Sequence, residues 1–423
     1  MEISNCVNPL LQASCRGPGE PQGPFCLSDS LRKQAGELGG SAMPGARALL
    51  PRAGGLAVSP QAYSAAASPV ERPRGITAPS PRPPAYVRPP RSKSEDIAGG
   101  DTARPPAPHL RSQSDRQKAP RLRPVRIAHV TTDLERVGHE DVDRPFHERA
   151  APAAGLALEH PCWGDPSVDW GAYDLVVLRS PWDYTTRQRD FLAWLDRVAS
   201  LAPVHNPPSV VRWNLDKHYL ADLAEAGVPV IPTAFADSEA QVVATLRSYG
   251  SNPVVVKPSV SAGSRNTGRF AADTPGALEL ARTILAESLS VMIQPFARSV
   301  DDDGEVSLVL FDGAFGHAFR KGAMLAPGGG LRGGGYRENI SAASPTAAQR
   351  EVARTAELAV RRLCRQRFGV SEPLLYARYD LLTLDDGSPA LLEAELFEPC
   401  FFLHVAPNSA RLLAEAVRAR ETS

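Results

Sequence analysis

Three carboxylates and one arginine near the C-terminal end carry the clearest chemical signal. The segment 376–402 reads YARYDLLTLDDGSPALLEAELFEPCFF, two strand-like apolar runs joined by Asp385-Asp386-Gly387, a tight-turn signature. Asp380 lies on the first arm, Glu393 and Glu395 on the second. Residues two apart on a strand point to one face, so Glu393 and Glu395 share a face, as do Arg378 and Asp380. A hairpin can bring Asp380 beside Glu393. Three carboxylates on an apolar segment repel one another unless a cation sits among them, and a lone one buried there is costly. Hard oxygen donors favour Mg²⁺, which usually takes substrate phosphates as well, with Mn²⁺ as the alternative ion. The competing reading is a solvated polar hairpin face, opposed by Leu391, Leu392, Leu396, Phe401 and Phe402.

Other residues could complete a phosphate chemistry. Lys257 ends an apolar strand, VVVK, and precedes the small-residue loop Ser259–Gly268. Such a loop admits phosphate oxygens to backbone N–H groups, and a lysine beside it supplies a point charge; a surface lysine next to a turn is the alternative. Lys217 is a second lysine, expected in the first turn of a helix over 214–226 with Asn214 as N-cap and Gly227 as its stop. Glu305 opens a strand and either accepts hydrogen bonds from a ribose or is solvated. Arg320 and Lys321 precede a glycine-rich loop, 327–336, and either neutralise a transferring phosphate or flank a lid. Gly328–Gly333 matches GxGxxG in form, but no strand leads into it and no helix leaves it, so it is not a dinucleotide fingerprint. Asn339-Ile340-Ser341 matches a glycosylation acceptor without any sign of secretion, and no GxxxxGK[ST] loop is present.

The elements that must position these residues follow from pattern and composition. The net charge of zero hides an asymmetry: residues 1–124 hold 17 Lys+Arg against 9 Asp+Glu and 20 of the 40 prolines, the remainder 30 against 38. Residues 1–124 are expected to be disordered, because they cannot bury enough surface to offset ordering entropy. They are either an inert extension or a basic tail for RNA, an anionic surface or a proline-recognition partner. Regular pattern starts at Val125, where the natural product is expected to begin. A small α/β domain spans 125–208, with strands at 126–132 and 173–179 and a helix at 191–199. Thr131 and the loop Trp182-Asp183-Tyr184, at strand C-terminal ends where open α/β sheets place ligands, are candidate substrate contacts, as is Arg320. Asn206-Pro207-Pro208 marks the next boundary. Domains are expected at 209–292 and 293–423, with helices at 273–288, 347–366 and 409–419 and strands at 291–296, 305–311 and 314–320. Cys6, Cys15, Cys26, Cys162, Cys364 and Cys400 form no CxxC pair, as expected of reduced thiols in the cytoplasm. No apolar run is long enough for a membrane span.

The order of parts resembles the ATP-grasp superfamily over about residues 125–415: a helical lysine, a strand lysine before a small-residue loop, IQPF, a glutamate before a strand, then Arg-x-Asp and Glu-x-Glu on a hairpin. The resemblance implies a small α/β N-terminal domain followed by two α+β lobes that clamp ATP. It implies that Lys217 and Lys257 bind phosphates, that Ser261, Gly263, Ser264 and Gly268 belong to the loop over them, that Gln294, Pro295 and Phe296 hold the adenine, and that Glu305 holds the ribose. Asp380, Glu393 and Glu395 would hold Mg²⁺, and Arg378, with Lys321, would serve the reacting centre. Related ligases often carry Asn where Glu395 stands. Within the superfamily, the strings VTTDLERVGHEDVD, LRSPWDY, NPPSVVRWNLDKHYL and LLEAELFEPCFFL resemble the cyclo-ligases that close O-ureido-D-serine in D-cycloserine biosynthesis; glutathione synthetase and ribosomal-protein glutamate ligases are more distant relatives. The expected chemistry is activation of a carboxylate as an acyl phosphate and attack by a nitrogen, intramolecular in the cyclo-ligases and from a separate amine in the alternative. A small amino-acid-like substrate and ATP are the expected partners; a membrane is not, and RNA binding would rest on the basic tail. Oligomeric state is open.

Overall fold

The computed structural model describes residues 123–133, 136, 141–332 and 339–421. The tail expected to be disordered therefore lies outside the described residues except at Arg123 and Pro124, as does most of the second half of the glycine-rich loop, 333–338.

Three sheets follow one another along the chain. The first contains β1 (Val125–Thr131), β2 (Leu156–Glu159), β3 (Leu175–Ser180) and β4 (Val204–His205), in the order β2-β1-β3-β4, and every pair is parallel. β3 is buried at every position: its apolar run Leu175–Leu178 fits a strand covered on both faces, and Arg179 and Ser180 are buried with it. One cover is the helix Gln188–Ala199, whose Phe191, Trp194, Leu195 and Val198 recur at helical spacing and pack against Val176 and Leu178.

The second sheet contains β5 (Ala234–Ala236), β6 (Pro253–Pro258), β7 (Gly268–Ala271) and β8 (Val291–Pro295), antiparallel in the order β5-β8-β6-β7. The expected domain boundary at 292/293 thus cuts β8, which pairs with β6 from Val254↔Pro295 to Pro258↔Val291; the sheet closes only after Pro295. The tight approach of Phe270 to Gly268, where an added Cβ would lie 2.5 Å from the ring, explains the glycine at the start of β7.

The third sheet contains β9 (Glu305–Phe311), β10 (Ala314–Lys321), β11 (Ile340–Ala342), β12 (Tyr376–Thr383) and β13 (Pro389–Glu395), antiparallel in the order β11-β10-β9-β12-β13. Its back is covered by the helix Ala347–Phe368, which opens with a capping box between Thr346 and Gln349 and ends at Gly369 in the left-handed region. Val352, Ala356, Ala359, Val360 and Leu363, the expected core face, are all buried there with Leu308, Tyr379 and Leu396.

The helix expected over 214–226 is helical only at Tyr219–Glu225, and Asn214 closes an earlier helix that was not expected. Pro208–Asn214 and Tyr219–Glu225 are separate helices, and Lys217 sits in the connection between them. Pro208 starts the first helix at its first turn, where proline is tolerated. The break is held by Asp216, whose Oδ1 accepts from the His218 amide at 3.1 Å, and by the Lys217 amide, which donates to the Ser259 carbonyl at 2.9 Å. Asn214 is therefore at the end of a helix, not at an N-cap. No helix among the described residues is long and apolar enough to cross a membrane.

Candidate active site

A cavity of about 1040 Å³ lies where the three sheets meet. The hairpin of β12 and β13 supplies its floor. Register pairs Arg378 with Glu395 and Asp380 with Glu393, so the expected side-by-side placement of Asp380 and Glu393 is the actual one.

The carboxylates are kept apart by cationic side chains. Asp380, 2 % exposed, accepts from Arg378 Nε and Nη2, both at 2.9 Å, and from Lys321 Nζ at 2.7 Å. Arg378 also donates to Glu395 Oε1, and its Nη1 donates to the Cys400 carbonyl at 2.8 Å. Among the described residues four of its five N–H donors have acceptors, and one on Nη1 does not. Lys321 reaches Glu305 at 3.1 Å, and Lys217 reaches Glu393 at 3.1 Å and the Ser261 carbonyl at 2.9 Å. Lys257 is different. It is 7 % exposed and lines the cavity, yet its ammonium has no hydrogen-bond or ion-pair partner among the described residues.

Electrostatics follow from that arrangement. Burial disfavours the charge on Asp380, but Arg378 and Lys321 outweigh it and hold the carboxyl well below the usual range. Burial likewise opposes Glu393, and Lys217 and Lys257 overcome it. Burial works against Lys217 too, and Glu393, with Glu398 and Glu395 behind it, holds its pKa above the ordinary lysine value. On Lys257 desolvation wins and the pKa is lowered. Glu395 is pushed up to about 7, first by burial and then by Asp380 and Glu393 against the pull of Arg378. Glu398 is pushed up to about 8 by burial and by Glu395. Around the hairpin five carboxylates (Glu305, Asp380, Glu393, Glu395, Glu398) stand with four cations (Lys217, Lys257, Lys321, Arg378), and two of the acids, Glu395 and Glu398, resist ionisation, first because they are buried and then because other carboxylates are near. Glu393 and Glu395 present hard oxygens to the cavity, so this donor set fits a hard divalent ion.

The loop after β6 forms another wall. Ser261, Gly263 and Ser264 line the cavity, with Gly263 and Ser264 at φ +59° and +56°. The loop turns on itself there, with the Arg265 amide on Ala262 O at 3.3 Å and the Thr267 amide on Ser264 O at 3.2 Å. β7, which follows the loop, touches the glycine-rich segment through the Arg269 amide, which donates to Gly329 O at 2.9 Å, and Asp301 bridges Arg269 (2.7 Å) and Arg332 (2.6 Å).

Several expected site residues lie elsewhere. Tyr184 is buried in the core of the first sheet and does not line the cavity; its hydroxyl donates to Glu398 at 2.5 Å. Arg320 alternates with Lys321 along β10, so its guanidinium turns away and donates to the Asp303 carbonyl. Gln294 is buried with its amide on Thr233 Oγ1 at 2.8 Å, the backbones of Gln294 and Pro295 face β6, and the Phe296 amide donates to Pro253 O. None of these three lines the large cavity, and Gly268 borders only a shallow depression beside it. Thr131 spends its backbone on Pro161 and Trp163. Trp182 and Asp183 do line the cavity; Asp183 is also an anchor, accepting from Thr132, from Trp163 Nε1 at 2.6 Å and from Arg187 at 3.3 Å.

Residues outside the expected site hold the hairpin. Asn206 accepts from the Leu375 amide at 2.7 Å and donates to the carbonyls of Tyr376 at 2.8 Å and Leu396 at 2.5 Å. Asn214 brackets Glu395, donating to Ala394 O and accepting from Leu396 N, both at 2.8 Å. Asp143 accepts the amides of Phe401 (2.5 Å), Phe402 (3.2 Å) and Leu403 (2.7 Å), which stabilises Phe402 at φ +51°. Asp143 also lies close to Asp141 and Cys400, but both its oxygens are committed to those amides.

Comparison with known proteins extends the picture. A family model described as D-cycloserine synthetase DcsG, N-terminal domain, matches residues 127–206. The cycloserine biosynthesis protein DcsG of Streptomyces lavendulae is 36% identical over 289 residues, covering 66% of this chain and 94% of that protein. A crystal structure of D-cycloserine synthetase DcsG, at 36% identity, superposes with a TM-score of 0.64 over 70% of this chain and 99% of the other. D-alanyl-alanine synthetase A of Vibrio cholerae shares the fold at 12% identity and a TM-score of 0.53, over 71% of this chain and 99% of that one. The ATP-grasp ligase PsnB, at 19% identity and a TM-score of 0.46 over 70% of this chain and 98% of its own, was solved with a minimal precursor, Mg and ADP.

Proposed function

The chain belongs to the D-cycloserine synthetase family of ATP-grasp ligases, and from that premise we propose that it closes O-ureido-D-serine to D-cycloserine at the expense of ATP. What supports ATP at this wall of the cavity is Lys257, a buried lysine whose ammonium has no hydrogen-bond or ion-pair partner among the described residues, beside a loop of small residues. An incoming phosphate satisfies it. Lys217 and the loop residues Ser261, Gly263 and Ser264 line the same cavity, and Glu305, which also lines it, would accept from the ribose. We read residues 125–206, 208–295 and 296–421 as the N-terminal domain and the two lobes of the clamp.

Glu393 and Glu395, with Asp380 behind them, would hold Mg²⁺ (or Mn²⁺), which when bound polarises the phosphates and offsets the surplus of carboxylates. Lys321 acts through others: it fixes Asp380 and Glu305. The substrate carboxylate attacks the γ-phosphorus, ADP leaves, and an acyl phosphate forms. Arg378, gripped by Asp380, Glu395 and Cys400 O, keeps its remaining Nη1–H for the oxygen of the acyl centre. The ureido nitrogen bonded to oxygen then attacks the acyl carbon, giving a five-membered ring and phosphate; hydrolysis removes the carbamoyl group as CO₂ and ammonia. Attack within one molecule needs no second amine pocket.

The test is ADP release with O-ureido-D-serine alone, with product mass measured. Turnover that needs an added amine supports the intermolecular ligase instead.

A further inference from the structure

Glu398 is a carboxylate that the phosphate and metal chemistry leaves unused. It follows β13 by three residues, is 9 % exposed and borders the cavity. Its segment is held on every side. The carbonyl of Glu398 accepts from Trp182 Nε1 at 3.2 Å, that of Pro399 from Arg179 at 2.8 Å, and that of Cys400 from Arg378 at 2.8 Å. The carbonyl of Phe401 meets His317 Nε2 at 2.7 Å, and the amides of 401–403 are on Asp143. The backbone beside Glu398 is therefore fixed before any ligand arrives.

The side chain has one committed oxygen and one spare. Oε1 accepts from the Tyr184 hydroxyl, while Oε2 makes no hydrogen bond among the described residues. The other anionic side chain at this end, Asp183, has both oxygens engaged, Oδ1 by Thr132 and Trp163 and Oδ2 by Arg187. Lys217, a cation that acts on Glu398, is already paired with Glu393 and the Ser261 carbonyl. Glu398 is thus a rigid, buried, incompletely paired acid, an arrangement that costs free energy unless a cation completes it.

An amino acid activated beside Arg378 brings such a cation. Its ammonium is on the carbon next to the carboxylate, and Arg378 grips the carbonyl two residues from Glu398. We propose that Glu398 binds the α-ammonium of the amino-acid substrate, and that Tyr184 is the positioning residue that turns its carboxylate to do so. This deepens the proposed function and rests on it. Recognition then spans two elements: the loop after β3 orients the acid, and the segment after β13 carries it.

The test compares each substrate with its partner lacking the α-amino group: O-ureido-D-serine against 3-(ureidooxy)propanoic acid, and the same pairing for other amino acids, in ADP release. A buried charge-assisted bond predicts a preference for the ammonium-bearing member of about 10- to 100-fold in kcat/KM for the unaltered protein. Glu398→Gln, which retains an oxygen for Tyr184, is expected to reduce that preference to about 3-fold or less while KM for ATP stays within about 2-fold, since uniform binding of the amino acid is what is lost. Tyr184→Phe is expected to give an intermediate preference, expressed in KM rather than kcat. An undiminished preference in Glu398→Gln overturns the assignment; if that variant does not fold, an undiminished preference in Tyr184→Phe does so. Turnover of a different amino acid by the unaltered protein overturns the substrate reading alone, and the Glu398 ratio is then read on that acid. Turnover of no ammonium-bearing acid overturns both.

Discussion

Replacing Asn206 by alanine removes three hydrogen bonds in one step. The amide side chain is fully buried and uses its oxygen and both N–H donors on backbone, at Leu375 N, Tyr376 O and Leu396 O. The variant leaves one donor and two acceptors of the hairpin without partners. Each buried unsatisfied group costs about 1–3 kcal/mol, and water entering the vacated space recovers part of it. The expected loss is therefore about 3–6 kcal/mol, a large fraction of the roughly 5–15 kcal/mol that holds a domain folded. Urea denaturation followed by fluorescence measures it. Asn206→Asp separates geometry from size: it retains the acceptor for Leu375 N but sets a carboxylate against the carbonyls of Tyr376 and Leu396, so it is expected to lose as much as alanine or more. A loss below about 1 kcal/mol in Asn206→Ala would refute the idea that this side chain stands in for a strand between β12 and the end of β13.

Further outcomes follow from the charged centre. Lys257→Ala is expected to raise the dissociation constant for ATP about 10- to 100-fold, read by calorimetry, because a desolvated charge-assisted contact is lost; an unchanged constant contradicts it. Glu393→Gln is expected to abolish ligation while circular dichroism stays native, and near-normal turnover would remove Glu393 from the metal set. Glu395 is expected to make the protein less stable as pH rises: its folded pKa of about 7 lies above its unfolded value of 4.5, so its contribution is intact below about 4.5 and disappears through 7. Glu395→Gln should therefore be more stable relative to the unaltered protein at pH 8 than at pH 5, by up to about 3 kcal/mol without divalent ion, and Mg²⁺ should narrow the gap.

Part of the centre is legible in the sequence because period two puts Arg378 with Asp380, and Glu393 with Glu395, on one face of their own strands. Their pairing across the hairpin is not: Leu381 pairs with Leu391 but Asp380 with Glu393, so an irregularity at Leu392 that no spacing announces turns the two pairs toward each other. Lys257 lines the cavity, as a strand lysine before small residues can, although the same pattern also fits a surface lysine beside a turn. The failures have physical reasons. Lys217 reads as helical because no glycine or proline lies between Asn214 and Tyr219; the break depends on Ser259 O, forty-two residues later. Tyr184 looks like a substrate contact because loops at strand ends usually are, but its ring packs on Phe191 and Phe397. Asn206 and Asn214 read as punctuation, since an asparagine beside a proline or at a helix end is common; their partners lie 169–190 and 180–182 residues away. Glu398 carries no spacing signal, and only tertiary packing brings Tyr184 to it.

β13 is the last strand of its sheet, and a last strand normally offers a row of unpaired backbone groups to any passing extended chain. Here that row is occupied. Asn214 and Tyr219 take Ala394 and Leu396, Leu391 donates to the Pro229 carbonyl at 2.7 Å, and Ile231 donates back to Leu391 at 2.9 Å. The same contacts that aim Glu393 and Glu395 close the strand to self-association. Loosening them for the sake of a wider substrate range would expose a template for aggregation, so engineered variants at Asn214 or Tyr219 should be screened for solubility as early as for turnover.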